Sequence, residues 1–137
     1  MQLYLDAGYP LILAVSGVLA VMGMVTMVWV RTHGLLRQAG RTYVGAIVAQ
    51  AIVVVIAVFQ GAPAFMTLSY AVASLAVLVA LGISRLGTPE AAADDPTRPV
   101  LQPDQQARVD AGAALLVALA QAVIAWRFME IFQAALA

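Results

Sequence analysis

The sequence predicts an all-α integral membrane protein. We expect a four-transmembrane-helix bundle with both termini on the outer side (N-out/C-out) and a cytoplasmic proline-rich loop before the fourth helix. Of the 137 residues, 64% are hydrophobic and only 10% are charged, whereas soluble domains carry about a quarter charged residues. Long uncharged segments alternate with two polar stretches, and these stretches hold six of the seven arginines. There is no lysine.

The first crossing is predicted at about residues 10–30, because Ala7 to Val30 carries no charge. A helix needs about 20 apolar residues to cross the hydrocarbon core. Tyr9 and Trp29 bracket the segment, which is typical of aromatic anchors at the two membrane surfaces.

The second and third crossings share one uncharged run from Thr42 to Ser84, which is too long for a single helix across a bilayer. Gln60-Gly61-Ala62-Pro63-Ala64 interrupts the run, and Gly and Pro predict a turn there. The two crossings are therefore expected at about residues 43–60 and 64–84. A turn this short makes them antiparallel neighbours.

The fourth crossing is predicted at about residues 107–130, around the uncharged segment Ala111 to Trp126. Asp104 after Pro103 predicts an N-cap, with the helix starting at Gln105 in the aqueous phase. Near the far end, Glu130 follows Arg127 on the same helix face, so an interfacial ion pair is expected there. Residues 85–105 contain four prolines and predict a mobile cytoplasmic loop, so the chain forms one transmembrane domain, 1–137.

Orientation follows from the positive-inside rule, which places arginine-rich loops in the cytoplasm. The loops before the second and fourth helices carry arginines, and the loop between the second and third helices carries none. Arginine without lysine, with abundant Ala and Val, is typical of a GC-rich bacterial genome, so we expect a multi-pass protein of the bacterial inner membrane. Four arginines are assigned to topology and to lipid headgroups: Arg31, Arg37, Arg41 and Arg85.

Uncharged polar residues at mid-depth are the candidate contacts. Gln50, Ser74 and Gln121 all fall roughly 12–17 Å from the cytoplasmic helix ends, by 1.5 Å per residue. They are expected to hydrogen-bond between helices; the alternative is a polar patch for a partner helix or a quinone-like ligand. Tyr70, one turn from Ser74, fits either interpretation.

No residue set for catalysis or for a metal is present, and no cofactor is expected. The chain has no cysteine, and its single histidine, His33, is interpreted as a solvated residue of the basic loop. The predicted hydrocarbon layer contains no carboxylate, His, Lys or Arg, which argues against a carrier working through its own carboxylate. A formal net charge of zero argues against nucleic-acid binding.

Small residues recur at the four-residue interval that allows close helix packing in membranes. The pairs are Ser16 with Ala20 and Gly45 with Ala49, and a longer ladder follows in the fourth helix. That ladder, Ala114, Ala118 and Ala122, can serve an internal contact or a contact with another protein.

The segment Leu11 to Gly87 resembles the small F subunit of Mrp-type multisubunit cation/proton antiporters. The similarity lies in a first helix, a basic segment from Arg31 to Arg41, a helical hairpin, and Ser84-Arg85 closing the third helix. The family's Gly-Pro in the basic loop, its Asp-Arg before the second helix and an early acid in that helix are missing, and the fourth crossing is extra. The resemblance implies a small subunit of an energy-converting complex.

Three functions remain open at this point. The first is a non-catalytic accessory or assembly subunit of a larger inner-membrane complex, and we do not expect an enzyme. The second is a small homo-oligomeric transporter or channel. The third is a small membrane enzyme acting on a lipophilic substrate, with an anionic cofactor at the basic loop. Expected partners are the lipid bilayer and either other membrane subunits or further copies of the chain.

Overall fold

A computed structural model describes residues 1–87, 97 and 100–137, with the backbone alone described at 83–87. These residues are all-helical and contain no β-strand, and four of their helices are long and apolar enough to cross a membrane. The prediction of an all-α chain with four such helices is confirmed, and this composition indicates a membrane protein. Most of the predicted mobile loop 85–105 lies outside the described residues.

The first helix begins earlier than residue 10. Helix α1 spans Tyr9–Val28, and a π-helical turn, Tyr4–Gly8, precedes it without a break. The ring of Tyr4 is buried and packs edge-on against Phe132, with the ring centroids 5.2 Å apart. Because Tyr4 joins the core, the helical backbone extends past the acidic but exposed Asp6 to the N-terminal residues.

The turn between the first two helices is much shorter than predicted. Trp29 leaves the helical conformation, a single 3-10 turn covers Val30–Thr32, and α2 then spans His33–Phe59. Thr32 Oγ1 donates to the carbonyl oxygen of Trp29 at 2.8 Å, and Thr26 Oγ1 lies 2.8 Å from Thr32 Oγ1. The second helix was expected at about residue 43, so ten residues assigned to a loop are helical.

This correction has a simple physical cause. The segment from His33 to Thr42 contains Leu, Arg, Gln and Ala, which are good helix formers, and two isolated glycines do not end a helix. Leu36 is 3% exposed, so this part of the helix also contributes to the core. Arginines make a segment unfavourable in the hydrocarbon core, but they do not prevent it from forming a helix. Arg37 and Arg41 accordingly lie on α2.

The second turn falls within the five residues expected to break the run. Helix α2 ends at Phe59 and α3 spans Ala64–Val77. Gly61 has a φ of 101°, a left-handed conformation that glycine adopts without steric cost. The chain then continues as a 3-10 helix, Leu78–Gly87. The last part of the third crossing is therefore a 3-10 helix, where a regular α-helix to residue 84 was predicted.

Helix α4 spans Pro103–Leu136 and is longer than predicted at both ends. Asp104 is not the N-cap, because Gln102 occupies that position and its N–H donates to Gln105 Oε1 at 3.0 Å. Pro103 at the first helical position lacks only an N–H that would have no helical partner. The helix continues beyond Glu130, since residues of its last turns pack into the core.

The helices bury stripes whose residues recur in alternating steps of four and three. In α4 the stripe runs through both polar and apolar positions, and a spacing that averages 3.5 residues is typical of left-handed helical bundles. Consecutive helices pack against each other, and α4 closes the ring by its extensive contact with α1. The α4 stripe comprises Ala107, Ala111, Ala114, Ala118, Gln121, Ala125, Phe128 and Phe132.

Helix α1 approaches α4 most closely at Gly23. A Cβ built on Gly23 would lie 2.9 Å from the carbonyl oxygen of Ala111 and 3.7 Å from the Cβ of Ala114. Helices in lipid associate through such close contacts, because lipid tails provide no hydrophobic drive between them. The α4 ladder of small residues therefore serves an internal contact at Ala114 and Ala118, which are both buried.

The bundle has two chemically different ends. We call the end that holds Arg31, Arg37, Arg41 and the start of α4 the arginine end. The opposite end, here the aromatic end, contains the π-helical turn, the α2–α3 turn and the end of α4. There Tyr4 packs against Phe128 and Phe132, and the N-terminal ammonium donates to Gln60 Oε1.

We expect Gly23→Ala to lower the free energy of unfolding by about 1–3 kcal/mol, because the added Cβ meets a backbone carbonyl that cannot move alone. Gly17→Ala in the same helix is the control, since its Cβ meets no atom within 4 Å. It should be neutral or stabilising by up to about 1 kcal/mol. Unfolding in mixed detergent micelles measures both variants, and equal stability would contradict the close contact.

Candidate functional site

Two of the predicted mid-depth polar residues bond directly to each other. Ser74 on α3 donates from Oγ to Gln121 Oε1 at 2.7 Å, and Gln121 on α4 donates from Nε2 to the Ser74 carbonyl oxygen at 2.6 Å. Both side chains are buried. This reciprocal pair satisfies the amide and the hydroxyl together, so it joins α3 to α4 in the way expected of an interhelical contact.

A second polar pair joins α1 to α2. Ser16 Oγ lies 2.7 Å from Tyr43 Oη, and both residues are buried. The sequence predicts only a close helix contact at Ser16, and no role is predicted for Tyr43. The spacing along α2 could have indicated that Tyr43 is buried, because the buried stripe of this helix runs through Tyr43, Ile47, Gln50 and Val54. A tyrosine on a buried stripe requires a partner for its hydroxyl group.

Gln50 is the exception in this polar layer. It is only 4% exposed, yet neither its amide nitrogen nor its amide oxygen has a hydrogen-bond partner among the described residues. The structure therefore does not join Gln50 to Ser74 and Gln121, although the three lie at similar predicted depth. An unpaired buried amide costs about 1–3 kcal/mol, so packing alone does not account for a glutamine at this position.

Tyr70 lies one turn from Ser74 on α3, toward the aromatic end, and contacts a different residue of α4. Its ring packs edge-on against Phe128, with centroids 6.2 Å apart, at the aromatic end. It lines a mainly apolar cavity of about 420 Å³ together with Arg127 and Glu130, whose Nη1 and Oε2 atoms lie 2.8 Å apart. The predicted ion pair is thus present, but it lies on an exposed helix face that continues to Leu136.

The predicted headgroup arginines do not form one group. Arg31 is exposed in the 3-10 turn, whereas Arg37 and Arg41 lie one turn apart on α2 and line a cavity at the arginine end. The side chain of Arg85 is outside the described side chains. Two of the four therefore converge on one cavity, which also contains Gln106 and Asp110 of α4.

His33 is not a solvated loop residue. It is the first residue of α2, and its Nε2 lies 2.6 Å from Asp110 Oδ2 on α4. The side chains are 21% and 13% exposed, so the pair is partly withdrawn from solvent. The helical start of α2 causes this correction, because it turns His33 inward toward the first turns of α4. Sequence reading missed the pair because its members are 77 residues apart.

Gly45 and Ala49 form the small-residue pair that the bundle does not use. Both are exposed on α2, and a Cβ built on Gly45 would meet no atom within 4 Å. By contrast, Ser16, Ala114 and Ala118 are buried between helices. The outer face of α2 therefore carries a small-xxx-small pattern that permits close approach of another helix.

No cluster of three or more His, Cys, Asp or Glu side chains occurs in the part of the chain that the structure describes. Comparison of the chain with protein-family models, with curated proteins and with solved structures finds no match. The resemblance of residues 11–87 to the antiporter F subunit gains no support from these comparisons and stays a prediction.

We expect Gln121→Leu and Gln50→Leu to act in opposite directions. Gln121→Leu removes two hydrogen bonds and leaves the buried Ser74 hydroxyl without its acceptor, which should cost about 1–2 kcal/mol. Gln50→Leu removes an amide that has no partner within the described chain, and it should be neutral or stabilising by up to about 3 kcal/mol. Unfolding in mixed micelles compares them. A larger loss for Gln50→Leu would show that Gln50 has an internal partner.

The His33–Asp110 contact should couple α2 to α4 energetically. In a double-mutant cycle of His33→Ala and Asp110→Ala, we expect a coupling energy of at least about 1 kcal/mol, because a partly buried charged acceptor contributes to the bond. The same cycle for Arg127→Ala and Glu130→Ala is the control and should give a clearly smaller coupling energy, since that pair is exposed. Additive effects of His33→Ala and Asp110→Ala would contradict the contact.

Proposed function

We propose that the chain is a small non-catalytic accessory or assembly subunit of a larger complex in the bacterial inner membrane. The observation that carries the proposal is the exposed Gly45–Ala49 pair in the membrane-spanning part of α2. Contact with lipid chains gains nothing from small residues, whereas contact with another helix does, because small residues let two backbones approach closely. An energy-converting complex is the class that the F-subunit resemblance favours.

The interior supports a structural role. The buried polar residues of the described chain are all uncharged: Ser16, Thr26, Gln50, Thr67, Ser74 and Gln121. Four of the polar side chains inside the bundle are engaged with one another, as Ser16 with Tyr43 and Ser74 with Gln121. Groups that are hydrogen-bonded in this way hold helices together and are not available to a transported solute.

The distribution of charge supports the proposed orientation. Arg31, Arg37 and Arg41 lie at one end of the bundle together with Arg108 near the start of α4, and Arg127 lies toward the other end. The positive-inside rule then puts the arginine end in the cytoplasm and both termini outside. A subunit so oriented would present Gly45 and Ala49 to a neighbour within the membrane.

A homo-oligomeric transporter or channel is the second candidate, and Gln50 is the observation that favours it. Its amide nitrogen and oxygen have no partner among the described residues and lie on the buried stripe of α2, where a wet pathway would supply partners for them. Proteoliposome flux that disappears in Gln50→Leu while the fold is retained would favour this candidate over the accessory role.

The accessory role predicts that a bulky side chain on the outer face of α2 breaks the assembly without unfolding the chain. Tagged wild-type protein, extracted from native membranes in mild detergent, should recover a different membrane protein in stoichiometric amount. Gly45→Ile and Ala49→Ile should lower that recovery about tenfold, equivalent to about 1.4 kcal/mol, because the larger side chain prevents the neighbouring helix from approaching closely. Gly17→Ile is the matched control, since Gly17 is also exposed and has open space around it.

Thermal unfolding of the three variants separates loss of assembly from loss of fold. Recovery of further copies of the same chain as the only stoichiometric component, lost in Gly45→Ile, would overturn the accessory role and support the homo-oligomer. A monomer in wild type and variants alike would overturn both.

A further inference from the structure

The arginine end contains a cavity of about 300 Å³ between α2, the 3-10 segment Leu78–Gly87 and the start of α4. Sites for small molecules begin at roughly this size. Its innermost lining is apolar, because Leu19, Leu36 and Ala114 are almost fully buried. Its rim is polar, because Arg37 and Arg41 are exposed. A ligand that matched this lining would have a charged group joined to an apolar chain.

The two arginines are placed to act together. They are four residues apart on one helix, so their Cβ atoms lie about 5–6 Å from each other on the same face. The described part of the chain gives neither guanidinium an acidic partner within 4 Å. Guanidinium groups bind phosphate through paired N–H donors, and the rim therefore fits an anionic phosphate group.

Asp110 is the acidic residue that lines this cavity, and its negative charge would repel a bound anion if the arginines were its only neighbours. Its Oδ2 atom instead lies 2.6 Å from His33 Nε2, on the first residue of α2. Gln106, one turn earlier on α4, adds an amide that can donate to a phosphate or ester oxygen. Among the described residues, the polar lining thus contains two arginines without an acidic partner, an amide donor, and an acid that is hydrogen-bonded to a histidine.

We propose that this cavity binds one anionic phospholipid, with its phosphate on Arg37 and Arg41 and the first part of an acyl chain along Leu19, Leu36 and Leu78. The cavity lies at the end of the candidate membrane spans, where headgroups of a bilayer would be. Basic pockets between transmembrane helices on the cytoplasmic side are suited to anionic headgroups. A soluble phosphate would leave the apolar lining unmatched. The inference does not depend on the accessory role.

Native mass spectrometry of the full chain in detergent, titrated with phosphatidylglycerol, tests the proposal. We expect one retained lipid per chain and much weaker retention of phosphatidylcholine with the same acyl chains. Arg37→Gln with Arg41→Gln should weaken phosphatidylglycerol binding about 25-fold, at about fivefold for each arginine. Arg31→Gln with Arg108→Gln removes the same charge from the same end but outside the cavity, and it should leave binding close to wild type.

A second pair of variants tests the cavity without changing charge. Gly40 lines the cavity and Gly34 does not, although both lie on α2 and neither has an atom within 4 Å of an added Cβ. Gly40→Leu should fill the cavity and reduce phosphatidylglycerol retention, whereas Gly34→Leu should retain it. Thermal unfolding of each variant confirms that the fold is present.

Three results would overturn the proposal. The first is equal retention of phosphatidylcholine and phosphatidylglycerol. The second is wild-type retention of phosphatidylglycerol in either the double-arginine variant or Gly40→Leu. The third comes from a titration with two soluble anions, inorganic phosphate and glycerol 3-phosphate. If either bound as tightly as the lipid, the cavity would be assigned to a soluble anion.

Discussion

The close approach of α1 to α4 at Gly23 is the contact on which the rest of the bundle depends. Two antiparallel helices in lipid gain little from apolar surface, so they require backbone proximity, and Gly23 opposite Ala111 and Ala114 provides it. The alignment it sets extends to both ends. At the aromatic end Tyr4 packs against Phe132, and at the arginine end His33, just beyond the short turn after α1, reaches Asp110. Helices α2 and α3 form a hairpin added to this pair.

Hydrogen bonds then fix how the hairpin sits on that pair. Ser16 with Tyr43 ties α2 to α1, and Ser74 with Gln121 ties α3 to α4, so each helix of the hairpin has one polar attachment. A shift of one helical turn would leave these groups unpaired in a dry interior, at about 1–3 kcal/mol for each. The polar groups therefore specify the register of the helices, and the small residues determine how closely α1 and α4 approach. Gln50 and Thr67 follow neither rule, because their buried polar side-chain atoms have no hydrogen-bond partner among the described residues.

The sequence predicted what depends on composition and missed what depends on direction around a helix. Uncharged runs identified four helices, and Gly61 with Pro63 located the central turn, because these features act locally. The helical start at His33 was missed, since hydropathy reports the fit to lipid and not the tendency to form a helix. Depth along the membrane grouped Gln50, Ser74 and Gln121, but depth does not say which way a side chain points. The packed structure is needed to show that Ser74 bonds to Gln121, whereas Gln50 has no partner among the described residues.

The arginines show the same distinction between count and position. Topology accounts for an excess of arginine at one end of the bundle, and it would be satisfied by any placement there. It does not require two arginines one turn apart over a cavity, nor buried leucines beneath them. Arg31 and Arg108 contribute to the arginine excess at this end but do not line the cavity. The positive-inside rule therefore explains them, and no binding site is assigned to them. The extension of α2 to His33 creates the difference, because a loop would have left Arg37 and Arg41 without a common face.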